Sequence, residues 1–201
     1  MYIPNHFRED DQDKLIAFIR QYNFGIVINS NTEKPIATHL PFVVEERNGE
    51  VFLVSHMAIA NEQWKYFNDT EVLVIFSEPH AYISPKFYEK KQNVPTWNFV
   101  AIHCYGVPQL IEGDAALLQL MKKTILSFES SYLDQFNALD EKYKTGMIKA
   151  IKGFEIKVAT MQGKYKLSQN KTDKERENII TDFEKSEDAN LKRIAKLMKE
   201  K

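Results

Sequence analysis

The sequence of 201 residues is poor in several features that would define a function by themselves. Its one cysteine, Cys104, excludes an internal disulfide and any metal site built from several cysteines. The 27 basic residues are balanced by 28 acidic ones, and this net charge of −1 argues against a strongly basic nucleic-acid-binding domain. No apolar run approaches the roughly 20 residues of a membrane-spanning helix. The start, MYIPNHFRED, lacks the basic and apolar regions of a signal peptide, so we expect a cytoplasmic protein.

Common catalytic signatures are missing as well. The GxSxG motif of serine hydrolases does not occur, and neither does the glycine fingerprint of a dinucleotide-binding βαβ unit. The five histidines lack the close pairing of a typical zinc site. His103 adjoins Cys104, but neighbours on a strand point to opposite faces, which argues against a nucleophilic pair. We therefore expect neither a metal site nor a catalytic triad.

The sequence does contain a series of short segments rich in β-branched and aromatic residues, separated by turn signals. Asn48-Gly49 is the strongest hairpin signal among them. Strands are predicted at 24–29, 35–44, 51–55, 71–77, 97–105, 107–111 and 154–160. A set of this kind favours a barrel, because closure of the sheet removes exposed edges.

Helical spacing of apolar residues predicts helices between and after these strands. The helices are expected at 10–22, 58–67, 114–130 and 140–151. Prolines at 79, 85 and 95 predict a long loop over 80–97, and 164–170 reads as a polar loop. The charge-dense tail predicts one or two exposed helices. We therefore divide the chain into a main domain, 1–171, and a helical extension, 172–201.

Polar residues inside apolar strands are the first candidates for a binding site, since burying them without a partner costs a few kcal/mol. Thr38 and His39 interrupt one such strand. Either these side chains contact a ligand, or they are exposed to solvent or form hydrogen bonds within the protein. Ser55, His56 and Asn61 stand where a strand is predicted to give way to a helix, and helix starts attract anions. Simple capping of the helix is the alternative for these residues.

Three later segments place aromatic residues near hydroxyl groups, and the third of them also contains lysines. The first two are Ala81–Pro85 and Val94–Asn98, and such a mixture suits a planar heterocycle with polar groups at its rim. Ordinary core packing is the alternative for their aromatic residues. The third segment, Gly163–Asn170, contains two lysines, a hydroxyl and two amides, which suits an anionic group. A solvated loop is the alternative there.

Taken in order, six segments of this chain resemble the PaiB family of FMN-binding proteins, described as negative regulators of sporulation and degradative-enzyme genes. The matching segments are MYIPNHF (1–7), ATHLPF (37–42), SHMAIANEQW (55–64), PHAYISPKFY (79–88), VPTWNFVAIHCYG (94–106) and GFEIKVATMQGKYKLSQNK (153–171). Together they span nearly the whole chain up to about residue 171. Their common order and spacing make the resemblance specific.

The resemblance implies an α+β, mainly β fold: an FMN-binding split β-barrel related to pyridoxamine-phosphate oxidases and flavin reductases, with flanking helices and a C-terminal helical tail. It also implies that FMN lies in a groove at a homodimer interface. Matching positions supply the predicted cofactor-binding residues. They are Thr38, His39, Leu40, Ser55, His56, Met57, Asn61, Tyr82, Ser84, Thr96, Trp97, Lys164, Lys166, Ser168, Gln169 and Asn170.

Three positions depart from the family pattern: Ile59 replaces a basic residue, Glu62 a proline and Glu78 a glycine. If the missing cation meets the FMN phosphate, Ile59 removes a contact of roughly 1.5–3 kcal/mol. A barrel that has lost its cofactor and serves as an interaction module therefore stays open as an alternative.

The main hypothesis is an FMN-binding negative transcriptional regulator. A flavin-dependent oxidoreductase with a nicotinamide donor is the second hypothesis, since the chemistry would then belong to the flavin. Haem binding, known among split-barrel relatives, is the third. DNA is a possible partner only through the basic amphipathic stretch 191–201, whose alternative role is to pack one apolar face on the barrel.

Overall fold

The described part of the chain, residues 1–30, 33–67 and 69–201 of a computed structural model, contains a large β-sheet flanked by helices. The strands are β1 (Arg8–Glu9), β2 (Phe24–Asn29), β3 (Ile36–Pro41), β4 (Val43–Arg47), β5 (Glu50–Ala58), β6 (Val72–Ile83), β7 (Thr96–Ile111) and β8 (Ile151–Lys166). Their order in the sheet is β3-β2-β6-β7-β8-β5-β4, and β1 pairs with β8. The predicted α+β, mainly β class is confirmed.

Six α-helices and four short 3-10 helices complete the described chain. The α-helices are α1 (Gln12–Gln21), α2 (Asp114–Phe128), α3 (Leu133–Ala138), α4 (Glu141–Lys149), α5 (Asp173–Glu184) and α6 (Ala189–Lys199). The 3-10 helices are Asn5–Phe7, Glu62–Tyr66, Pro85–Phe87 and Ser130–Tyr132. Among the described residues, none of these helices has the length and apolar character needed to span a bilayer.

Residues group into two compact units. Unit 1 comprises Met1–Leu15, Phe76–His103 and Gln162–Lys201, and unit 2 comprises Ile16–Ile75 and Cys104–Met161. The predicted domain boundary at residue 171 stays a prediction.

In unit 2, antiparallel pairing of β2 with β3 and of β5 with β4 and β8 places the first group of predicted site residues. Asn48 and Gly49 both have positive φ, as a tight two-residue hairpin turn requires, so the predicted β4–β5 hairpin is confirmed. The core between the strands is apolar. Phe154 lies at its centre, with ring centroids 6.2 Å from Phe42 and 5.1 Å from Phe67.

In unit 1, the C-terminal tail forms the two helices α5 and α6. Thr172 and Glu175 form a reciprocal capping box at the start of α5, which explains why the helix begins there. One apolar face of each helix is buried, so the two helices form as predicted but are not exposed on all sides. The buried residues are Ile179, Ile180, Phe183, Ile194, Ala195 and Met198.

The predicted α-helix 58–67 does not form. Strand β5 continues through Ala58, and only Glu62–Tyr66 forms a short 3-10 helix. The residues Ser55, His56 and Met57 pair with Phe154, Gly153 and Lys152 of β8. This long-range pairing extends the strand past the point where local spacing predicts a helix.

The predicted loop 80–97 is also shorter than expected. Strand β6 continues to Ile83, and β7 begins at Thr96. Pro79, Ala81 and Ile83 are buried and alternate with exposed residues. This alternation is a strand signal that the neighbouring prolines obscured.

The predicted polar loop 164–170 begins instead as the end of β8, which includes Lys164 and Lys166. The buried side chains of Tyr165 and Leu167 alternate with the lysines, which explains the extended backbone. The turn itself covers only the residues after Lys166.

Candidate functional site

The predicted site residues fall into two groups, one in each unit. Unit 2 contains Thr38, His39, Leu40, Ser55, His56, Met57 and Asn61. Unit 1 contains Tyr82, Ser84, Thr96, Trp97, Lys164, Lys166, Ser168, Gln169 and Asn170. The side chains within each group differ in how much of their hydrogen-bonding capacity the protein itself uses.

Asn61 and Thr38 are joined in unit 2. The Asn61 Nδ2 donates to Thr38 Oγ1 over 2.9 Å, while its Oδ1 accepts from the backbone N–H of Gln63 over 3.1 Å. Asn61 is therefore the cap of the 3-10 helix Glu62–Tyr66. The Thr38 hydroxyl keeps its own proton for a further acceptor.

Three other residues of this group lie in the interior of unit 2. Ser55 is buried and its hydroxyl donates to the carbonyl of Pro41 over 2.7 Å, tying β5 to the end of β3. Leu40 and Met57 are buried side chains of the core. Their contribution to ligand binding stays a prediction.

His39 lies exposed on β3 and stacks on Phe24, with 6.2 Å between ring centroids and an interplanar angle of 28°. Phe24 is 62% exposed, an unusual position for a large aromatic side chain. Phe24 was not among the predicted site residues. The register could have revealed it, because Phe24 pairs with Pro41 in the ladder beside His39.

His56 is half-buried on β5, and burial lowers the pKa of its imidazole below the ordinary value. Unfolding restores the ordinary pKa, so the unfolded chain binds the proton first as the pH falls. The stabilising contribution of neutral His56 is complete above the ordinary histidine pKa and is lost as the pH falls through the lower folded-state value.

We expect the free energy of unfolding to decrease between about pH 7.5 and pH 5, because His56 resists protonation in the folded state. His56→Gln removes this titration while keeping a polar side chain of similar length. Urea unfolding at several pH values will show a smaller decrease in the variant. Identical pH dependence in both proteins would contradict the prediction.

In unit 1, two lysines stand close together at the end of β8. Lys166 donates to Thr96 Oγ1 on β7. Lys164 donates to the carbonyl of Tyr2 over 3.2 Å and lies 5.4 Å from the ring centroid of Phe99. Within the described residues, neither ammonium forms an ion pair with a carboxylate.

The pKa of Lys166 is lowered, first by burial and then by the positive charge of Lys164. A partly buried ammonium beside a second ammonium is an electrostatic cost that a bound anion would offset. Thr96 adds a hydroxyl at the same point. The pair is therefore suited to a phosphate or carboxylate group.

An aromatic cluster lies on the same unit. Trp97 is 50% exposed, and its ring centroid is 6.1 Å from that of Tyr82 and 5.5 Å from that of His80. Exposed rings of this kind offer a face on which a planar heterocycle can stack. His80 was not among the predicted site residues, although it shares a strand face with Tyr82 two residues on.

In the turn after β8, the side chains of Ser168 and Gln169 form hydrogen bonds with other residues of the protein. Ser168 has a φ of 62° and its hydroxyl donates to Asn98 Oδ1 over 3.0 Å. The Gln169 side chain accepts from the N–H of Leu167 over 2.7 Å and donates to the carbonyl of Tyr165 over 2.5 Å. Both side chains therefore shape the turn. Their direct contact with a ligand stays a prediction.

Ser84 and Asn170 are the remaining predicted site residues of unit 1. Ser84 accepts from the backbone N–H of Lys86 over 3.3 Å and so caps the 3-10 helix Pro85–Phe87. Asn170 is exposed. Outside both groups, burial raises the pKa of the Cys104 thiol to about 12, so this thiol stays protonated at neutral pH.

The three departures from the family pattern are all on the surface. Ile59 is 46% exposed, and its carbonyl accepts from the indole N–H of Trp64 over 3.1 Å. The Glu62 carboxylate pairs with Lys65, which neutralises it locally. Glu78 is exposed and precedes Pro79 through a cis peptide bond.

Comparison with protein families gives a match to the family described as "Putative FMN-binding domain" over residues 1–160. The chain is also similar to the protease synthase and sporulation protein PAI 2 of Bacillus subtilis. The two are 37% identical over 205 residues, which cover 100% of this chain and 98% of that protein.

Solved structures share the fold at low sequence identity. The flavocytochrome Anf3 from Azotobacter vinelandii matches with a TM-score of 0.65 and 15% identity, covering 82% of this chain and 72% of its own. The FAD and heme binding protein from Mycobacterium smegmatis matches with a TM-score of 0.61 and 12% identity, covering 79% and 73%. This likeness supports the predicted split-barrel fold.

Proposed function

This chain belongs to the FMN-binding domain family, and from that premise we propose that it is an FMN-binding regulator of the PaiB type that acts as a homodimer. Family membership gives it a flavin cofactor. The regulatory role, the dimer and the contacts of the flavin are the parts that we propose.

The pair of lysines in unit 1 is the observation that carries the proposal. FMN differs from riboflavin by a terminal phosphate, and Lys166 supplies a partly buried cation with a lowered pKa and no carboxylate partner among the described residues. Charge-assisted hydrogen bonds to phosphate are about twice as strong as neutral ones. We assign the phosphate to Lys166 and Thr96, with Lys164 adding to the positive potential.

The aromatic cluster of unit 1 supports a place for the flavin ring. The half-exposed Trp97 and Tyr82 offer apolar faces, and the His80 ring is tilted by 53° to the indole, with 5.5 Å between the ring centroids. We propose that the isoalloxazine ring stacks on Trp97, since a planar heterocycle gains from an aromatic face.

The homodimer is supported by exposed aromatic side chains in each unit. Trp97 in unit 1 and Phe24 in unit 2 expose half or more of their surface. Aromatic residues are enriched in protein interfaces, where their large apolar area becomes buried. A second copy of the chain would bury exposed rings of this kind.

The regulatory part comes from the relative whose name refers to protease synthesis and sporulation. The net charge of −1 and the buried apolar face of α6 argue against strong binding of DNA through the tail. We therefore propose that flavin binding controls an interaction with another macromolecule, with repression of degradative-enzyme and sporulation genes as the outcome.

Titration of the protein with FMN tests this function. We expect saturable quenching of flavin fluorescence with a Kd in the micromolar range or tighter, and weaker binding of riboflavin, which lacks the phosphate. Light scattering on the purified protein will give the mass of a dimer. A Kd of ~100 μM corresponds to a standard free energy of binding of roughly −5.5 kcal/mol. Absence of binding at this FMN concentration would overturn the proposal.

Oxidation of NADH or NADPH separates the regulator from a flavin-dependent oxidoreductase. We expect no sustained turnover with added FMN, because a regulator needs binding and not catalysis. Turnover that depends on FMN and saturates with the nicotinamide donor would replace the regulatory proposal by the oxidoreductase.

A further inference from the structure

The C-terminal helices contact the strand ends that carry the lysine pair and Trp97. Arg176 on α5 donates from Nη1 to the carbonyl of Leu167 over 3.0 Å and from Nη2 to the carbonyl of Met198 over 2.7 Å. One guanidinium therefore joins the residue that follows Lys166 to the last turn of α6. These residues all belong to unit 1.

A second connection runs through Asn98, which is completely buried on β7. Its Nδ2 donates to Met198 Sδ over 3.5 Å, and its Oδ1 accepts from the Ser168 hydroxyl over 3.0 Å. Asn98 follows Trp97 directly. Met198 is thus held from both sides, by Arg176 at its carbonyl and by Asn98 at its sulfur.

A third set of contacts joins Lys201 to strands β1 and β8. The Lys201 ammonium pairs with the buried carboxylate of Glu9 and lies 4.9 Å from the ring centroid of Tyr165. Tyr165 lies between Lys164 and Lys166 in the sequence. Lys201, two residues after the end of α6, therefore meets the segment of β8 that carries both cations.

These contacts act on the backbone beside the proposed phosphate and ring contacts. Leu167 follows Lys166 directly. Asn98 follows Trp97 directly and lies two residues after Thr96. A binding site keeps its affinity only when supporting contacts hold its groups within about 0.5 Å of the productive geometry. Loss of the Arg176 bridge would free the turn at Leu167 and, with it, the backbone that directs Lys166.

We propose that Arg176 is a positioning residue of the flavin site, acting through its hydrogen bonds to the carbonyls of Leu167 and Met198. This inference rests on the function proposed above. Arg176 does not touch the flavin. It holds the carbonyls of Leu167 and Met198 so that Lys166 and Thr96 meet the phosphate at the correct distance.

The test compares FMN and riboflavin affinity in the full-length protein and its variants. Arg176→Gln removes the bidentate bridge, and we expect FMN to bind about 10-fold more weakly, the equivalent of one charge-assisted hydrogen bond. Riboflavin affinity stays within about 2-fold, because it lacks the phosphate that Lys166 contacts. Arg176→Lys keeps a cationic donor and restores part of the FMN affinity.

Lys196→Gln provides the matched control, since it removes one positive charge from an exposed position on α6. Its FMN affinity is expected to equal that of the wild type. Thermal unfolding of each variant reports whether it is folded at the assay temperature. If Arg176→Gln is unfolded, the test uses Arg176→Lys alone.

The inference is overturned if the folded Arg176 variants bind FMN like the wild type, or lose FMN and riboflavin affinity equally. A wild-type protein that binds no FMN would overturn the proposed function itself, and this inference with it. A selective loss of FMN affinity, partly restored by lysine, establishes the positioning role.

Discussion

Replacing Lys166 with glutamine will weaken FMN binding by about 10- to 100-fold, the effect of losing one charge-assisted hydrogen bond worth roughly 1.5–3 kcal/mol. Glutamine keeps a polar side chain but removes the positive charge. Riboflavin has no phosphate, so its affinity changes little. Fluorescence titration with both flavins measures the two affinities.

Binding at alkaline pH gives an independent check on Lys166. Its pKa is lowered by burial and by Lys164, so the ammonium loses its proton at a lower pH than an ordinary lysine. FMN affinity of the wild type therefore falls as the pH rises through that value, and Lys166→Gln lacks this decrease. Lys196→Gln, which removes an exposed charge, retains the wild-type profile.

Equal loss of FMN and riboflavin affinity in Lys166→Gln would contradict the assignment of the phosphate. It would indicate that the substitution disturbs the strand end or that Lys166 contacts the ring. Loss of FMN affinity in Lys196→Gln to the same degree would show that overall charge, and not the position of Lys166, governs binding.

Replacing Gly106 with alanine will destabilise the protein by about 3 kcal/mol, the upper part of the range for overpacking. A Cβ at this position would lie 2.2 Å from the backbone oxygen of Lys157 and 2.7 Å from Ile156 Cγ2. The first of these atoms belongs to the backbone of β8, which cannot rotate away. The strands must separate locally to admit the methyl group, and hydrogen bonds between them weaken.

Thermal unfolding measures the effect, and a loss of about 3 kcal/mol in a chain of this size corresponds to a decrease in Tm of roughly 6–12 °C. Gly146→Ala is the matched control, because a Cβ there meets no atom within 4 Å and the residue lies in α4. Alanine is the better helix former, so this variant gains up to about 1 kcal/mol. A Gly106→Ala protein as stable as the wild type would show that the strands yield easily.

Elements with strong local signals were predicted close to their observed bounds. The Asn48-Gly49 turn formed the expected hairpin, because both residues accept positive φ. Strand β2 agrees with the predicted 24–29, and α2 and α4 begin within a residue of the predicted starts. In each case the information lies within a few neighbouring residues.

Predictions failed where a distant strand decided the local structure. Ser55–Met57 end a strand and do not open a helix, because β8 supplies their hydrogen-bonding partners about 100 residues later. Lys164 and Lys166 lie on a strand and not in a loop, which gives them defined neighbours. Their directed contacts are more useful to a ligand than the mobile lysines of a solvated loop would be.

Thr96 and Trp97 were predicted from a segment with aromatic and hydroxyl groups, and Lys166 from a segment with two lysines. The order of six segments then indicated the family and its cofactor, and the contact of these three residues with the cofactor stays a prediction. Asn98 ends the segment that contains Thr96 and Trp97, and Arg176 lies outside all of these segments. Neither was predicted as a cofactor-binding residue, because the sequence alone does not show their hydrogen-bond partners. Their importance follows from hydrogen bonds to residues 70 and 9 positions away in the chain.

The amino-acid sequence by itself determined the mainly β class, the family and the residue types available for a flavin, because periodicity and motif order are properties of the chain alone. The tertiary structure decided which polar side chains the fold itself uses in hydrogen bonds, as with Ser55 and Gln169, and which cation is partly buried without a carboxylate partner among the described residues, as with Lys166. The physical reason is that burial and hydrogen-bond partners depend on segments far apart in sequence, which only folding brings together.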